Sequence, residues 1–95
     1  KTLLPMANKR ELKQTINFVC AELLSETFIA GMLEKNIENG NVDNLLHSII
    51  RINQDYIRRI SHPEPGMPAK VYFKNLIEGF DKDVDETIDM IGNLY

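Results

Sequence analysis

The segment His62–Pro68 brings together the side chains of this chain that are best suited to binding chemistry. It offers an imidazole, a carboxylate and a thioether from His62, Glu64 and Met67. Three prolines stiffen the segment, and the Pro-Gly pair inside it suits the two central positions of a type II turn. Because loops carry binding residues more often than helix bodies do, this segment is the candidate recognition loop for a small ligand or a regulatory partner, and the alternative is that the prolines only turn the chain.

The other histidine and the single cysteine do not form a catalytic or metal-binding pattern. Neither His47 nor His62 has a glutamate three residues before it, which is the spacing that carboxylate-bridged metal bundles use. Cys20 falls on an apolar helical stripe with no basic residue nearby, so a buried thiol is expected rather than a nucleophile. We therefore predict no metal, no cofactor and no enzymatic activity.

The longest helical pattern covers Lys9–Asn39, and the rest of the chain is expected to pack against this helix. It predicts one helix of about 30 residues that ends at the pair Asn39-Gly40, because this pair suits a left-handed helix end. One side of the predicted helix carries apolar and small residues with a period of 3.6. This core stripe consists of Leu12, Ile16, Val19, Cys20, Leu23, Thr27, Ala30 and Ile37.

The opposite side of the same helix carries a second row with spacings of three, four, three and four residues. We call it the outer seam, and it consists of Phe18, Ala21, Ser25, Phe28 and Met32. Ile29 lies beside it. If the helix breaks near Ser25–Gly31, the stripe only changes phase, all these residues enter the core, and the fold has four short helices.

If the helix is straight, it must be buried on two sides, once by its own chain and once by another molecule. The simplest such molecule is a second copy. This reading predicts a homodimer whose interface anchors are Phe18, Phe28, Ile29 and Met32. We therefore expect a non-catalytic protein that acts through protein–protein contact, and the alternative is a ligand-binding or regulatory module built on His62–Pro68.

Two more helices follow, one from about Asn41 to Ser61 and one from Pro68 to about Asn93. Short connections favour antiparallel neighbours, so the sequence predicts an all-α, antiparallel three-helix bundle that runs up, down and up. Helix 1 would exceed helix 2 by about ten residues and overhang it by roughly 15 Å. The predicted core stripes are Leu45, Leu46, Ile49, Ile52, Tyr56 and Ile60, widened by Ile50 and Ile57, and then Phe73, Leu76, Ile77, Phe80, Val84, Ile88, Ile91 and Leu94.

Length and composition set the remaining expectations. Ninety-five residues predict a single domain, in which residues 1–8 form a flexible arm. A net charge of −3 does not favour nucleic acid as a partner. The sequence has no uninterrupted apolar run of about 18 residues, so no membrane-spanning helix is expected. The single cysteine and the lack of a signal peptide favour the cytoplasm.

Three short strings of the sequence carry a resemblance. They are Asp55-Tyr56-Ile57, then HPEPGM at residues 62–67, then Val71-Tyr72-Phe73. In these strings the chain resembles small all-helical bacterial proteins that have no assigned function. The resemblance extends over about a third of the chain. It implies a helical bundle, and it implies no chemistry and no site residue.

Overall fold

A computed structural model of the chain describes residues 8–33 and 39–95. These residues form three helices, α1 at Lys9–Leu33, α2 at Asn39–Ser61 and α3 at Ala69–Gly92. The described residues contain no strand. The predicted all-α three-helix architecture, with helix 1 as the longest helix, is confirmed.

The start of α1 is capped by a side chain. Asn8 Oδ1 accepts a hydrogen bond from the backbone N–H of Glu11 at 2.8 Å, which is the bond that an N-cap residue provides. Asn8 therefore belongs to the helix start and not to the predicted arm. Residues 1–7 of that arm lie outside the described residues.

The helix α1 is continuous through Ser25–Gly31, so the alternative of four short helices is wrong. The predicted end at Asn39-Gly40 is also wrong, because α1 ends at Leu33 within the described residues and α2 begins at Asn39. Within the described residues α1 has 25 residues and α2 has 23, a difference of two rather than the predicted ten or so. Residues 34–38, which include the predicted core position Ile37, lie outside the described residues.

Close packing between the end of α1 and the start of α2 accompanies the start of α2 at Asn39. A Cβ atom built on Gly31 would lie 3.2 Å from Cγ1 of Val42, so the two helices meet closely there. Asn and Gly have low intrinsic helix propensity, but propensity is a weak prior that tertiary contacts override. The packing of Val42 against α1 favours helical backbone at the preceding Asn39 and Gly40.

Neighbouring helices are antiparallel, as predicted. The side-chain amide of Asn53 on α2 donates a hydrogen bond to Asn17 Oδ1 on α1 at 2.8 Å. Further along α1, Gly31 lies against Val42. Residue numbers along α2 therefore decrease as those along α1 increase, so the two helices run in opposite directions. The Tyr56 hydroxyl of α2 donates to Asp83 of α3 at 2.7 Å, and the Tyr72 hydroxyl of α3 donates to the carbonyl oxygen of Arg59 at 2.9 Å, so residue numbers along α3 decrease as those along α2 increase.

The core lies where the three helices face one another, and the predicted stripes largely describe it. In α3 one position was misjudged, because Ile88 was predicted to be buried and is 41% exposed, whereas Thr87 is 3% exposed. Thr87 can occupy the core because its hydroxyl donates to the carbonyl oxygen of Asp83 at 2.8 Å, which satisfies the polar group. The buried apolar residues are Leu12, Ile16, Cys20, Leu23, Ala30, Leu45, Ile49, Tyr56, Ile60, Leu76, Phe80, Val84 and Ile91.

The close contact at Gly31 leads to a stability prediction. Alanine is a better helix former than glycine by about 1 kcal/mol, but a methyl group at this position would press on Val42, and overpacking typically costs about 1–3 kcal/mol. We expect Gly31→Ala to lower the free energy of unfolding by about 1 kcal/mol, as measured by urea denaturation. Gly92→Ala is the control, because no described atom lies within 4 Å of its Cβ position. Equal stabilisation by both substitutions would contradict close packing at Gly31.

Candidate functional site

The outer seam lies on the solvent side of α1, opposite the buried stripe. Phe18 is 67% exposed, Phe28 is 59% exposed and Met32 is 69% exposed. Ile29, beside the seam, is 47% exposed. The buried stripe continues in phase as far as Ala30, so no phase change turns the seam inward. The structure therefore brings all four sequence-predicted anchors to one open surface of α1.

Leu33 extends this surface and was not predicted from the sequence. It is 71% exposed and lies one helical turn beyond Ile29. Sequence reasoning missed it because Leu33 falls between the two predicted rows. We call the five exposed side chains the outer patch, and they are Phe18, Phe28, Ile29, Met32 and Leu33.

The area of the outer patch is large for a protein of this size. A fully exposed large apolar side chain presents about 200 Å², so the five exposed fractions together correspond to on the order of 600 Å² of apolar surface. Single exposed apolar residues need no explanation, but a patch of this size lies at the upper end of the range of about 300–600 Å² for the largest patch on a monomer, and such patches are often interaction surfaces.

Acidic side chains flank the outer patch. Glu22 and Glu26 are the only charged residues between Gln14 and Leu33 on α1, and both are exposed. Amphipathic helices that bind anionic membrane surfaces carry lysine and arginine on their polar face. α1 has acidic residues in that place, which does not favour an anionic lipid surface.

By length and hydropathy alone, α1 also qualifies as a helix that could cross a membrane. Within the part of the chain that the structure describes, Lys9–Leu33 alone is long and apolar enough to meet this criterion. A core helix of a soluble protein or an N-terminal signal sequence meets the same criterion. The absence of membrane contact and the cytoplasmic location therefore stay predictions.

The predicted recognition loop contains the turn that its sequence indicates. The backbone N–H of Met67 donates to the carbonyl oxygen of Glu64 at 3.4 Å. Gly66 has a φ of 86°, the value that the third residue of a type II turn requires. Beneath the loop, the Tyr72 hydroxyl donates to the carbonyl oxygen of Arg59 at 2.9 Å, which ties the start of α3 to the end of α2.

The loop's three chemically interesting side chains lie in different surroundings. His62 and Glu64 are exposed, whereas Met67 is half-buried. None of the three lines either of two surface grooves that the described residues of α2 and α3 form. Nothing observed at the loop favours a particular ligand, so the ligand-binding or regulatory role of His62, Glu64 and Met67 stays a prediction.

The larger of these grooves has a volume of about 440 Å³ and a hydrogen-bonded pair in its wall. The Tyr56 hydroxyl donates to Asp83 at 2.7 Å, and the guanidinium of Arg59 lies 4.7 Å from the centre of the Tyr56 ring. Asp55 forms ion pairs with Arg58 at 2.7 Å and with Arg59 at 3.5 Å. The groove residues are Arg51, Ile52, Gln54, Asp55, Tyr56, Arg58 and Asp83.

Tyr56 keeps its proton in this groove at neutral pH. Burial raises the pKa of Tyr56 to about 12, and the hydrogen bond to Asp83 and its charge act in the same direction. Arg59 lowers the pKa but only in part offsets these effects. A phenol with this pKa stays protonated at pH 7, so Tyr56 acts as a fixed hydrogen-bond donor that holds α3 against α2.

A glycine in α3 makes room for this hydrogen bond. A Cβ atom on Gly79 would lie 3.0 Å from the Tyr56 hydroxyl oxygen, closer than ordinary van der Waals contact. Gly79 is one helical turn before Asp83, so the hydroxyl passes over the glycine to reach the carboxylate. Sequence reasoning placed Tyr56 in the core stripe but did not find its partner, because the pairing depends on the distance between two helices.

Cys20 is buried, as predicted from its position on the core stripe. Burial raises the pKa of its thiol, and a hydrogen bond from Asn53 lowers it only in part. A buried thiol with a raised pKa is a poor nucleophile. Within residues 8–33 and 39–95, no three His, Cys, Asp or Glu side chains are grouped so that they could hold a metal ion. The absence of metal, cofactor and catalysis remains a prediction.

No family model matches the sequence, and no curated protein or solved structure is significantly similar to it. The resemblance to small bacterial helical proteins through the HPEPGM string therefore stays a prediction. The feature of the described residues that bears most directly on function is the exposed apolar surface of α1.

Proposed function

We propose that this protein is a non-catalytic interaction module that forms a homodimer through the outer patch of α1. The observation that supports this proposal is the exposure of five large apolar side chains on the solvent side of a continuous helix. Phe18, Phe28, Ile29 and Met32 are the interface anchors, and Leu33 extends the interface toward the end of the helix.

The available area suits a dimer of standard size. A stable interface buries about 800 Å² on each partner, and the outer patch offers on the order of 600 Å² of apolar surface. Ala21 and Ser25, which lie between the large side chains and are exposed, add to that area. Aromatic residues and methionine are enriched at the centres of interfaces, and both types occur here.

A second copy fits this surface because the centre of the outer seam is uncharged. A two-fold interface places the same patch on both partners, so a charge at its centre would face itself. Ala21 and Ser25 occupy the centre, whereas Glu22 and Glu26 lie on one side of the seam and are exposed. The interface could therefore form without the burial of like charges.

The proposal is tested by sedimentation of the full chain and two double variants at micromolar concentration. We expect a dimer for the unchanged chain and a dissociation constant at least about 30-fold higher for Phe28→Ala/Met32→Ala, because a central anchor contributes about 2 kcal/mol or more. Ile50→Ala/Val71→Ala is the matched control, since these residues are 42% and 47% exposed on the other two helices.

Three outcomes would overturn the proposal. The first is a monomer at all concentrations up to the millimolar range. The second is equal loss of dimer in both double variants, which would show that dimer formation does not depend specifically on the outer patch of α1. The third is a monomer that binds vesicles of neutral phospholipid through Phe28 and Met32, which would make the patch a membrane-binding surface.

A further inference from the structure

We infer that the two copies of α1 pair antiparallel, with a two-fold axis that passes beside Ser25. This inference rests on the proposed homodimer and names its geometry. Ser25 is the middle member of the outer seam, and Phe18 and Met32 each lie seven residues from it. The seam is therefore nearly symmetric in its spacing about one small residue.

The sizes of the side chains support the antiparallel arrangement. Around such an axis, a residue before Ser25 in one copy faces the residue equally far after it in the other copy. Phe18 then faces Met32 of the partner copy, and a methionine sulfur packs well against an aromatic ring. Ala21, four residues before Ser25, faces Ile29 of the partner copy, so that a small side chain meets a large one between the axis and each Phe18–Met32 contact.

A parallel pair would match the same side chains poorly. Each residue would face its own counterpart, so Phe18 would meet Phe18, and Phe28 would meet Phe28. These large pairs would hold the two helices apart. The small residues Ala21 and Ser25 contact their counterparts only when the helices approach closely, so space would remain between them. Unfilled space in a packed interface is destabilising, whereas alternation of large and small residues fills it.

A distance measurement on the full chain tests the geometry without removing any anchor. Gln14 is exposed and lies eleven residues before Ser25 on the same side of α1. In the antiparallel pair the two copies of Gln14 are separated along the helix by about 33 Å at a rise of about 1.5 Å per residue. In a parallel pair they are about 10 Å apart, the usual spacing between packed helices.

The experiment uses Gln14→Cys with a nitroxide label and pulsed electron spin resonance, and we expect a distance of about 30–40 Å. The unchanged chain, treated with the same reagent, controls for labelling at Cys20, which is buried. A second variant, Ser25→Cys, retains the large side chains of the seam. It should form an intermolecular disulfide on mild oxidation, because the two copies of residue 25 meet at the axis.

The possible results separate this inference from the proposed function. A dimer with a Gln14→Cys distance below about 20 Å, or one in which Ser25→Cys does not cross-link, overturns the antiparallel geometry and leaves the homodimer standing. If the unchanged chain sediments as a monomer, the homodimer itself is wrong. A distance in the expected range together with the disulfide supports both.

Discussion

Phe80→Ala is expected to lower the free energy of unfolding by about 3–5 kcal/mol, the usual cost of removing a buried phenylalanine side chain. Phe80 is fully buried, and its ring packs edge-on against Tyr56 with ring centres 5.2 Å apart. In a chain of this size each kcal/mol corresponds to roughly 4–8 °C in the melting temperature. Thermal and urea denaturation followed by circular dichroism should therefore show a drop of at least about 12 °C.

Phe28→Ala is the matched control, because it makes the same chemical change at a residue that is 59% exposed. Exposed substitutions usually change stability by less than about 0.5 kcal/mol. At protein concentrations low enough to favour the monomer, Phe28→Ala should unfold at nearly the same urea concentration as the unchanged chain. At high concentration it should weaken the dimer, since a dimer gains stability with concentration.

Comparable destabilisation of the monomer by both substitutions would show that Phe28 contributes to the fold rather than to a contact surface. That result would contradict the assignment of the outer patch. The expected result is a large loss in the free energy of unfolding for Phe80→Ala and a loss of dimer alone for Phe28→Ala. That result would show that Phe80 belongs to the core and Phe28 to the interface.

The stability of the protein is expected to fall as the pH rises from 10 to 12, because of Tyr56. Its pKa in the folded protein is about 12, against 10 for an ordinary tyrosine. Below pH 10 both the folded and unfolded forms hold the proton, and the hydrogen bond to Asp83 contributes fully. Between pH 10 and 12 the unfolded chain releases the proton and the folded chain keeps it, so unfolding becomes more favourable.

The expected loss across this pH interval is at most about 2–3 kcal/mol, since one pKa unit corresponds to about 1.4 kcal/mol. The measurement is the urea midpoint at a series of pH values from 8 to about 12. Tyr56→Phe is the control, and its stability should depend less on pH over the same interval. At pH 7 this variant should lose about 1–2 kcal/mol, because Asp83 no longer receives the hydroxyl hydrogen bond.

Identical pH profiles for the unchanged chain and for Tyr56→Phe would contradict the assignment. In that case the alkaline loss would come from other groups, such as the lysines. Asp83→Asn offers a second check, because an amide oxygen still accepts the hydroxyl hydrogen bond but carries no charge to oppose ionisation of Tyr56. The alkaline loss should be smaller in Asp83→Asn than in the unchanged chain.

Periodicity in the sequence was enough to predict the helices, most of the core and the outer seam. The six buried residues of α1 all belong to the predicted stripe, because position around a helix follows directly from spacing along the chain. The Pro-Gly turn of the loop was predictable for a similar reason, since few residues accept the backbone angle of Gly66. These properties are local, so nearby residues suffice to determine them.

The packing of the helices determined the features that spacing along the chain did not predict. Only the packed structure shows that α1 is continuous, which leaves the outer seam exposed, and that α2 begins at Asn39 beside the contact of Gly31 with Val42. The pairing of Tyr56 with Asp83 joins residues that are 27 positions apart, and spacing within one helix carries no information about it. The sequence by itself therefore determined which faces of the helices are apolar, and the tertiary structure determined which of those faces another helix covers.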